Sequence, residues 1–323
     1  MEWHGRKVLV TGGAGFLGSN LCHTLAARGA RVVALDGFLF GGGANPANLD
    51  GAAVELVRAD IRDVDLRPLC EGAGVIFNLA AQTSHMGGQR DPLADIAVNA
   101  VAQVRLIQAA REAAPDAVVV HASTRQFYGR PHHLPVDEEH PVNPPDANGV
   151  SKFAGEQYWM IEHRTMNRPV VSLRLTNCYG PRLRIRDARQ TFLGIWIRSV
   201  LEGKPFEVCG GEQLRDLTYV DDVTEAFLLA ATQPACHGRI FNIGGSPPAS
   251  LKQLADLVVR LAGPDAHYTT RAFPADRASI DIGSYHADDR AFRAASGWVP
   301  RVGLEDGISR SLDWFRTRLA AYL

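Results

Sequence analysis

Residues 7–18 read Lys7-Val8-Leu9-Val10-Thr11-Gly12-Gly13-Ala14-Gly15-Phe16-Leu17-Gly18, and residues 31–36 read Arg31-Val32-Val33-Ala34-Leu35-Asp36. The first stretch is a short apolar strand that runs into Gly-x-x-Gly-x-x-Gly. Spacing over 15–28 then predicts a helix, with Gly29 as its stop. The second stretch predicts another strand, ending in an acid eighteen residues after Gly18.

Glycines at a strand-to-helix junction permit a tight turn and a close backbone approach to a pyrophosphate. The free N–H groups and positive dipole at the helix start attract the same group. An acid ending the second strand accepts hydrogen bonds from a ribose 2′-hydroxyl and repels a 2′-phosphate. The expectation is NAD rather than NADP, held by Gly12, Gly15, Phe16, Leu17 and Asp36. Asp60 and Ile61 end the third strand and add a candidate adenine contact. Arg31 begins its strand, so it is discounted as a phosphate ligand.

Working outward, continuous apolar runs occur at 54–58, 75–80, 117–122 and 170–175. Strands buried on both faces read this way, whereas half-exposed strands alternate. Long helical patterns cover 92–113, ended by Pro115, and 147–164. The fold class that follows is α/β: a Rossmann-type doubly wound parallel sheet with a smaller α/β substrate-binding lobe. The second half is less regular. It predicts helices at 190–201, 221–232, 251–261, 288–295 and 304–319, and short strands at 206–209 and 239–243. Residues 41–48 read as a surface loop and 141–145 as an extended segment.

Composition narrows the class without naming a chemistry. The 323 residues suffice for about two domains and a real core. With 46% apolar and 21% charged residues and a net charge of −1, the chain is no disordered tail. Its charge balance gives no electrostatic reason to bind nucleic acid or a membrane surface. No apolar run is long enough for a membrane span, and no secretory leader is visible before the first strand. Cys22, Cys70, Cys178, Cys209 and Cys236 are odd in number and scattered. That pattern disfavours a disulfide framework or zinc site, so no metal is expected and a reduced cytoplasm fits.

With these motifs in order along nearly the whole chain, the sequence resembles the extended short-chain dehydrogenase/reductase family, in its nucleotide-sugar epimerase/dehydratase branch. Gly12, Gly15 and Gly18 match its glycine pattern. Asn78-Leu79-Ala80-Ala81 looks like its cofactor-lining turn, and Asn99 matches its helical asparagine. Ser123-Thr124 before Tyr128-Gly129 matches its active-site strand end. Arg174-Leu175-Thr176-Asn177-Cys178-Tyr179-Gly180-Pro181, Arg215-Asp216 with Tyr219-Val220-Asp221-Asp222, and Gly297-Trp298-Val299-Pro300 match three further signatures. The resemblance implies tightly bound NAD, with Ala80, Ala81, Asn99 and Lys152 among its contacts.

The family's central device is Tyr-x-x-x-Lys, with both side chains on one helix face. The tyrosine exchanges a proton near neutral pH. Lowering its pKa from about 10 to about 7 takes roughly 4 kcal/mol of differential stabilisation. Here Lys152 is in place, but the tyrosine position holds Asn148. An amide cannot titrate as a proton carrier. Tyr128 lies where the family has a structural tyrosine, and Tyr158 is about three helical turns from Asn148. A second departure follows Thr124: the acidic pair of sugar dehydratases is replaced by Arg125-Gln126, which disfavours 4,6-dehydration. The candidate catalytic set is Thr124, Asn148, Lys152 and His85. His85 lies in the loop that borders the sugar in the family, and histidine titrates near neutral pH; hydrogen bonding to the sugar or a loop carbonyl is the competing role. His121 and Cys178 are read as structural.

The resemblance implies a nucleotide-diphosphate sugar as substrate. Arginine forks and amides suit its diphosphate, so the candidate substrate set is Arg125, Gln126, Asn177, Arg189, Arg215 and Arg277. The arginines of 182–189 form a candidate phosphate cradle. Three functions compete: an epimerase-like isomerase, a pyranose–furanose mutase or other rearrangement without net redox, and a catalytically silent NAD- or nucleotide-sugar-binding regulator. The expected division is 1–175 with 217–245 for the NAD domain, and 176–216 with 246–323 for the substrate lobe. A homodimer through a four-helix bundle, built from 92–113 and 147–164 of each copy, is also implied.

Overall fold

The computed structural model describes residues 2–39, 42–187, 191–274 and 280–323. The chain begins β1 (Lys7–Thr11), α1 (Phe16–Ala27), β2 (Arg31–Asp36), β3 (Val54–Arg58), α2 (Arg67–Cys70) and β4 (Val75–Asn78). Next come α3 (His85–Arg90), α4 (Pro92–Ile96), α5 (Ala102–Ala113), β5 (Val118–Thr124), α6 (Ala147–Met166) and β6 (Val170–Leu175). The second half contains β7 (Asn177–Tyr179), α7 (Phe192–Leu201), β8 (Phe206–Cys209), β9 (Leu214–Arg215), β10 (Leu217–Tyr219), α8 (Val220–Thr232) and β11 (Arg239–Ile243). It continues with β12 (Ala249–Ser250), α9 (Leu251–Ala262) and β13 (Tyr268–Arg271), then helices Arg290–Ser296 and Leu304–Arg316.

Seven strands form one sheet in the order β11-β6-β5-β4-β1-β2-β3, and every pairing is parallel. Every residue of β4 and β6 is buried, which is why apolar residues do not alternate with exposed ones there; the polar exceptions in β6, Ser172 and Arg174, bond to Glu156. The order reverses between β1 and β4, and a crevice forms at such a switch point beyond the C-terminal strand ends. The expected Rossmann-type α/β class is the fold observed.

Three expectations shift. The run 75–80 is strand only to Asn78, because the N–H groups of Leu79 and Ala80 turn to the Thr11 hydroxyl at 3.2 and 3.1 Å. The strand expected at 117–122 reaches Thr124, paired through to Leu175 of β6. The long helix expected at 92–113 is α4 and α5 joined by a π-helical turn, Ala97–Val101. Asn99 lies in that widened turn and reaches back to Asp95 Oδ1 at 3.1 Å.

The smaller lobe has its own core of Leu193, Trp196, Phe206, Leu254, Ile308 and Phe315. Three two-stranded sheets, β7 with β10, β9 with β12 and β8 with β13, frame it. β11 joins the main sheet as the eventual partner of β6. Phe292 and Trp298 pack with Phe241 into the main core, so that part of 246–323 lies against the sheet rather than within the smaller lobe.

Candidate active site

The cleft at the switch point begins at the glycine turn. Gly12 has φ +70°, and a Cβ there would sit 2.8 Å from the Leu79 carbonyl oxygen. Gly18 touches the Gly12 backbone, so it too excludes a side chain. Gly15 caps α1 without any side-chain hydrogen bond. The first N–H groups of α1 therefore remain open to an anion. Phe16, Leu17, Asp36, Asp60, Ile61, Ala80 and Ala81 line the same cleft.

Asp36 accepts from Ala14 N–H and Phe38 N–H, both at 3.0 Å. Burial pushes its carboxyl up, against those backbone donors. These bonds fix the orientation of its carboxylate at the end of β2. Asp60 is committed to Arg62, which holds its carboxyl low through a hydrogen-bonded ion pair at 2.6 Å. The turn shape, the open helix start and the acid ending β2 together fit NAD.

Lys152 lines the cleft on the first turns of α6. Desolvation pushes its ammonium down to about 8, against the favourable charges of Asp95 and Glu156. Asn148 also borders the cleft, but its amide is committed: Nδ2 donates to Asp95 Oδ2 at 2.9 Å and to the Gln82 carbonyl at 3.0 Å. Asn99 is buried behind this loop. Its amide pairs with both polar groups of the Gln82 backbone and with Asp95. Asn99 therefore braces the wall and is not among the residues lining the cleft.

No nearby tyrosine takes the vacant role. Tyr128 is fully buried, donates to Asn242 at 2.9 Å and accepts from Arg174, and burial pushes its phenol up to about 12. Tyr158 is exposed on α6. His121 is buried against Asn78 and driven down to about 3 by desolvation. Cys178 reaches the cleft, yet burial raises its thiol to about 12, which removes its nucleophilic form.

His85 opens α3 and lines the cleft. Its Nδ1 lies 2.8 Å from Asp146 Oδ2. Thr124, Arg125, Gln126 and Asn177 line the same cleft. Arg125 is buried over the Tyr285 ring, and its Nη2 donates to Asn177 Oδ1 at 3.3 Å. Arg125 Nη1 and Asn177 Nδ2 are buried donors with no protein partner. Such atoms are expensive to leave unmatched, and a ligand anion matches both.

Arg215 behaves differently. It is buried outside the lining, donating to the Leu214 and Gly283 carbonyls, and burial lowers its guanidinium to about 10. Arg189 and Arg277 lie outside the described residues. The expected arginine cradle is also partly spent: Arg182 binds Asn20 and the Asn48 carbonyl, and Arg184 pairs with Asp187. Those side chains pack the loop instead of opening towards the cleft.

Motif and spacing assign no role to Asp95, Gln82 or Asp146. Asp95 had a weak signal, an acid four residues before Asn99 on one helix. Asp146 had a clearer one, a helix-capping residue type ahead of α6, and it does accept from Gly149 N–H at 2.7 Å. Among the described residues no cluster of three or more His, Cys, Asp or Glu is placed to hold a metal ion.

Fold and cleft together define a Rossmann-type, NAD-binding enzyme class with a two-lobed active site. More particularly, the chain belongs to the NAD dependent epimerase/dehydratase family, whose profile matches residues 8–244. It is 35% identical over 317 residues to the UDP-glucose 4-epimerase of Mycolicibacterium smegmatis, covering 97% of this chain and 99% of that protein. It is 31% identical to a putative UDP-glucose 4-epimerase of Methanocaldococcus jannaschii, over 96% of this chain and 98% of that one. The solved structure of Thermotoga maritima UDP-glucose 4-epimerase with UDP-glucose superposes with a TM-score of 0.87 at 27% identity, covering 97% and 99% of the two chains. A UDP-glucuronic acid 4-epimerase of Bacillus cereus, in complex with UDP-glucuronic acid and NAD, gives 0.83 at 27% identity, covering 96% and 99%.

Proposed function

We propose that the protein is an NAD-dependent epimerase of a nucleoside diphosphate sugar, with a UDP-hexose as the first substrate to test. The observation that carries this is the continuity of one cleft, from the Gly12–Gly15 turn past Lys152 to the unpartnered donors of Arg125 and Asn177. The relatives' activities support the uridine nucleotide and the 4-position. Bound NAD supplies reversible hydride acceptance at the sugar carbon. Lys152 places a positive charge beside the hydroxyl that must lose its proton. The Thr124 hydroxyl holds a neighbouring sugar oxygen, while Arg125 and Asn177 donate to the diphosphate. Gln126 replaces the acid that elimination of water would use, so the products keep all their oxygens.

The test is to incubate the holoenzyme with UDP-glucose, UDP-galactose and their uronic acid counterparts, and to identify products by NMR. An inverted stereocentre in an unchanged ring is expected. A furanose product would move the assignment to a mutase. Binding without turnover of any nucleotide sugar would leave a regulatory binding protein.

A homodimer belongs to this reading. α4 to α5 and α6 pack side by side and expose Leu93, Ile96, Val101, Val150, Tyr158 and Ile161. On α6 those positions recur at helical spacing, so they form one unpartnered apolar stripe. A second copy covering it would make a four-helix bundle. The five unpaired cysteines support a reducing, cytoplasmic location, and no described helix is long and apolar enough to cross a membrane.

A further inference from the structure

We infer that His85, held by Asp146, is the proton carrier that takes the place of the absent tyrosine. The inference rests on the epimerase reading above and assigns one of its steps. Oxidation of a sugar alcohol releases a proton as well as a hydride, and some side chain in the cleft must receive it. Asn148 cannot, because an amide does not titrate and both its donor bonds are already spent. Tyr128 cannot, being buried and bonded to Asn242 and Arg174. Cys178 and His121 are locked in their neutral forms by burial.

His85 differs from all of these. Its side chain is 35% exposed and lines the cleft shared by Thr124 and Lys152. Asp146, whose side chain is fully buried, engages Nδ1 at 2.8 Å. A carboxylate on Nδ1 selects the tautomer with its proton there, and so leaves the Nε2 lone pair for a ligand hydroxyl. Asp146 is itself pinned. Its Oδ1 caps α6 through Gly149 N–H at 2.7 Å, and the Gln126 amide adds another bond. Burial works to raise its carboxyl, but the hydrogen bond and charge of His85, aided by these two donors, outweigh burial and hold it below the usual range. The imidazole is thus positioned by a group that stays ionised.

The wall behind the pair is built to bring them together. α3 packs on α4 and α6, and Gly88 of α3 has no room for a Cβ, which would fall 2.6 Å from Asp95 Oδ2 and 3.2 Å from Asn148 Cβ. A small side chain at 148 and a glycine at 88 let α3 settle against the head of α6. The charged groups on these elements are Arg90 on α3, Asp91 and Asp95 at α4, and Asp146 and Lys152 at the head of α6. Lys152, at about 8, governs the alkaline side of a pH profile.

The step balances as follows. The sugar C–H bond breaks and its hydrogen leaves with both electrons for the oxidised nicotinamide. The hydroxyl O–H bond breaks with it, its proton passes to His85 Nε2, and its electron pair becomes the second bond of the carbonyl. Return of the hydride to the opposite face takes the proton back from His85. Asp146 takes no proton and acts as a positioning residue.

The test uses the holoenzyme with the nucleotide sugar it turns over fastest. H85A is expected to lose about 100-fold or more in kcat, with UDP binding by calorimetry unchanged. D146N keeps a capping side chain on α6; it is expected to lower kcat with KM unchanged. In wild-type protein, ¹⁵N-histidine NMR is expected to show His85 protonated at Nδ1, and in D146N a mixture of tautomers. Wild-type kcat in H85A overturns the proposal. So does a neutral His85 protonated at Nε2 in the wild type. A wild-type enzyme inert towards every nucleotide sugar sinks the epimerase reading instead.

Discussion

Asn148 and Asp95 form a buried pair, the amide nitrogen 2.9 Å from Oδ2, with Asn148 1% and Asp95 0% exposed. The position that would hold a working phenol in this family has become part of the wall. Restoring a tyrosine by N148Y therefore does not restore a simple ancestral site. Its ring meets Gly88, Asp95 and the Gln82 peptide. Overpacking of this kind costs about 1–3 kcal/mol, and Asp95 loses a donor as well. The expected outcome is a lower Tm and a lower kcat than wild type. A rise in epimerase activity with unchanged Tm would contradict it.

Lys152 carries a cost that pH can reveal. Its folded-state pKa of about 8 lies below the ordinary 10.5, so between those values the unfolded chain binds the extra proton. The penalty is full below about pH 8 and fades as pH rises towards 10.5. K152M is accordingly expected to be more stable than wild type at pH 7, with the difference shrinking towards pH 10. Turnover should fall by about 100-fold or more. Thermal denaturation of both proteins across that range, beside product assays, checks both signs.

Arg125 predicts a binding effect with a specific chemical origin. R125A removes a buried donor and also frees Asn177 Oδ1. Hydrogen bonds to charged groups contribute about 1.5–3 kcal/mol, so the affinity for a nucleoside diphosphate should weaken by roughly 10- to 100-fold. Calorimetry with UDP reads this directly. NAD binding, at the other end of the cleft, should stay as it was.

The exposed stripe on α4 and α6 predicts an assembly state. Leu93 is 79% exposed and Val150 55% exposed, an unfavourable arrangement for a solitary chain. Light scattering of the wild type is expected to give twice the chain mass. L93E combined with V150E should give the monomer mass, with the sheet's circular dichroism retained.

What could be read from the sequence divides along a physical line. The cofactor half was legible because its determinants are local: Gly12, Gly15 and Gly18 shape their own backbone, and Asp36 ends the adjacent strand. The catalytic half was not. Asn148 meets Asp95 across 53 residues, and His85 meets Asp146 across 61. Nothing in spacing announces such pairs. Lys152 and Thr124 were found through their motif, whereas the partner that orients His85 was invisible until α3 was placed on α6. Asn99 shows the converse case. Its type suited a ligand contact, and the π-helical turn carries it into the wall. The arginine run after Pro181 differs for a related reason, since Arg182 is taken up by Asn20 of α1 and the Asn48 carbonyl, and Arg184 by Asp187 and the Gly42 carbonyl.

Leu17 and Cys178 pack against both hydrophobic cores, one from the head of α1 and the other from β7. Each also borders the cleft. The seam between the lobes is therefore packed at the cleft itself. Occupancy of the cleft should be felt by both halves at once. Heating ought to melt them in a single cooperative event, and a bound dinucleotide ought to delay that event for the whole chain.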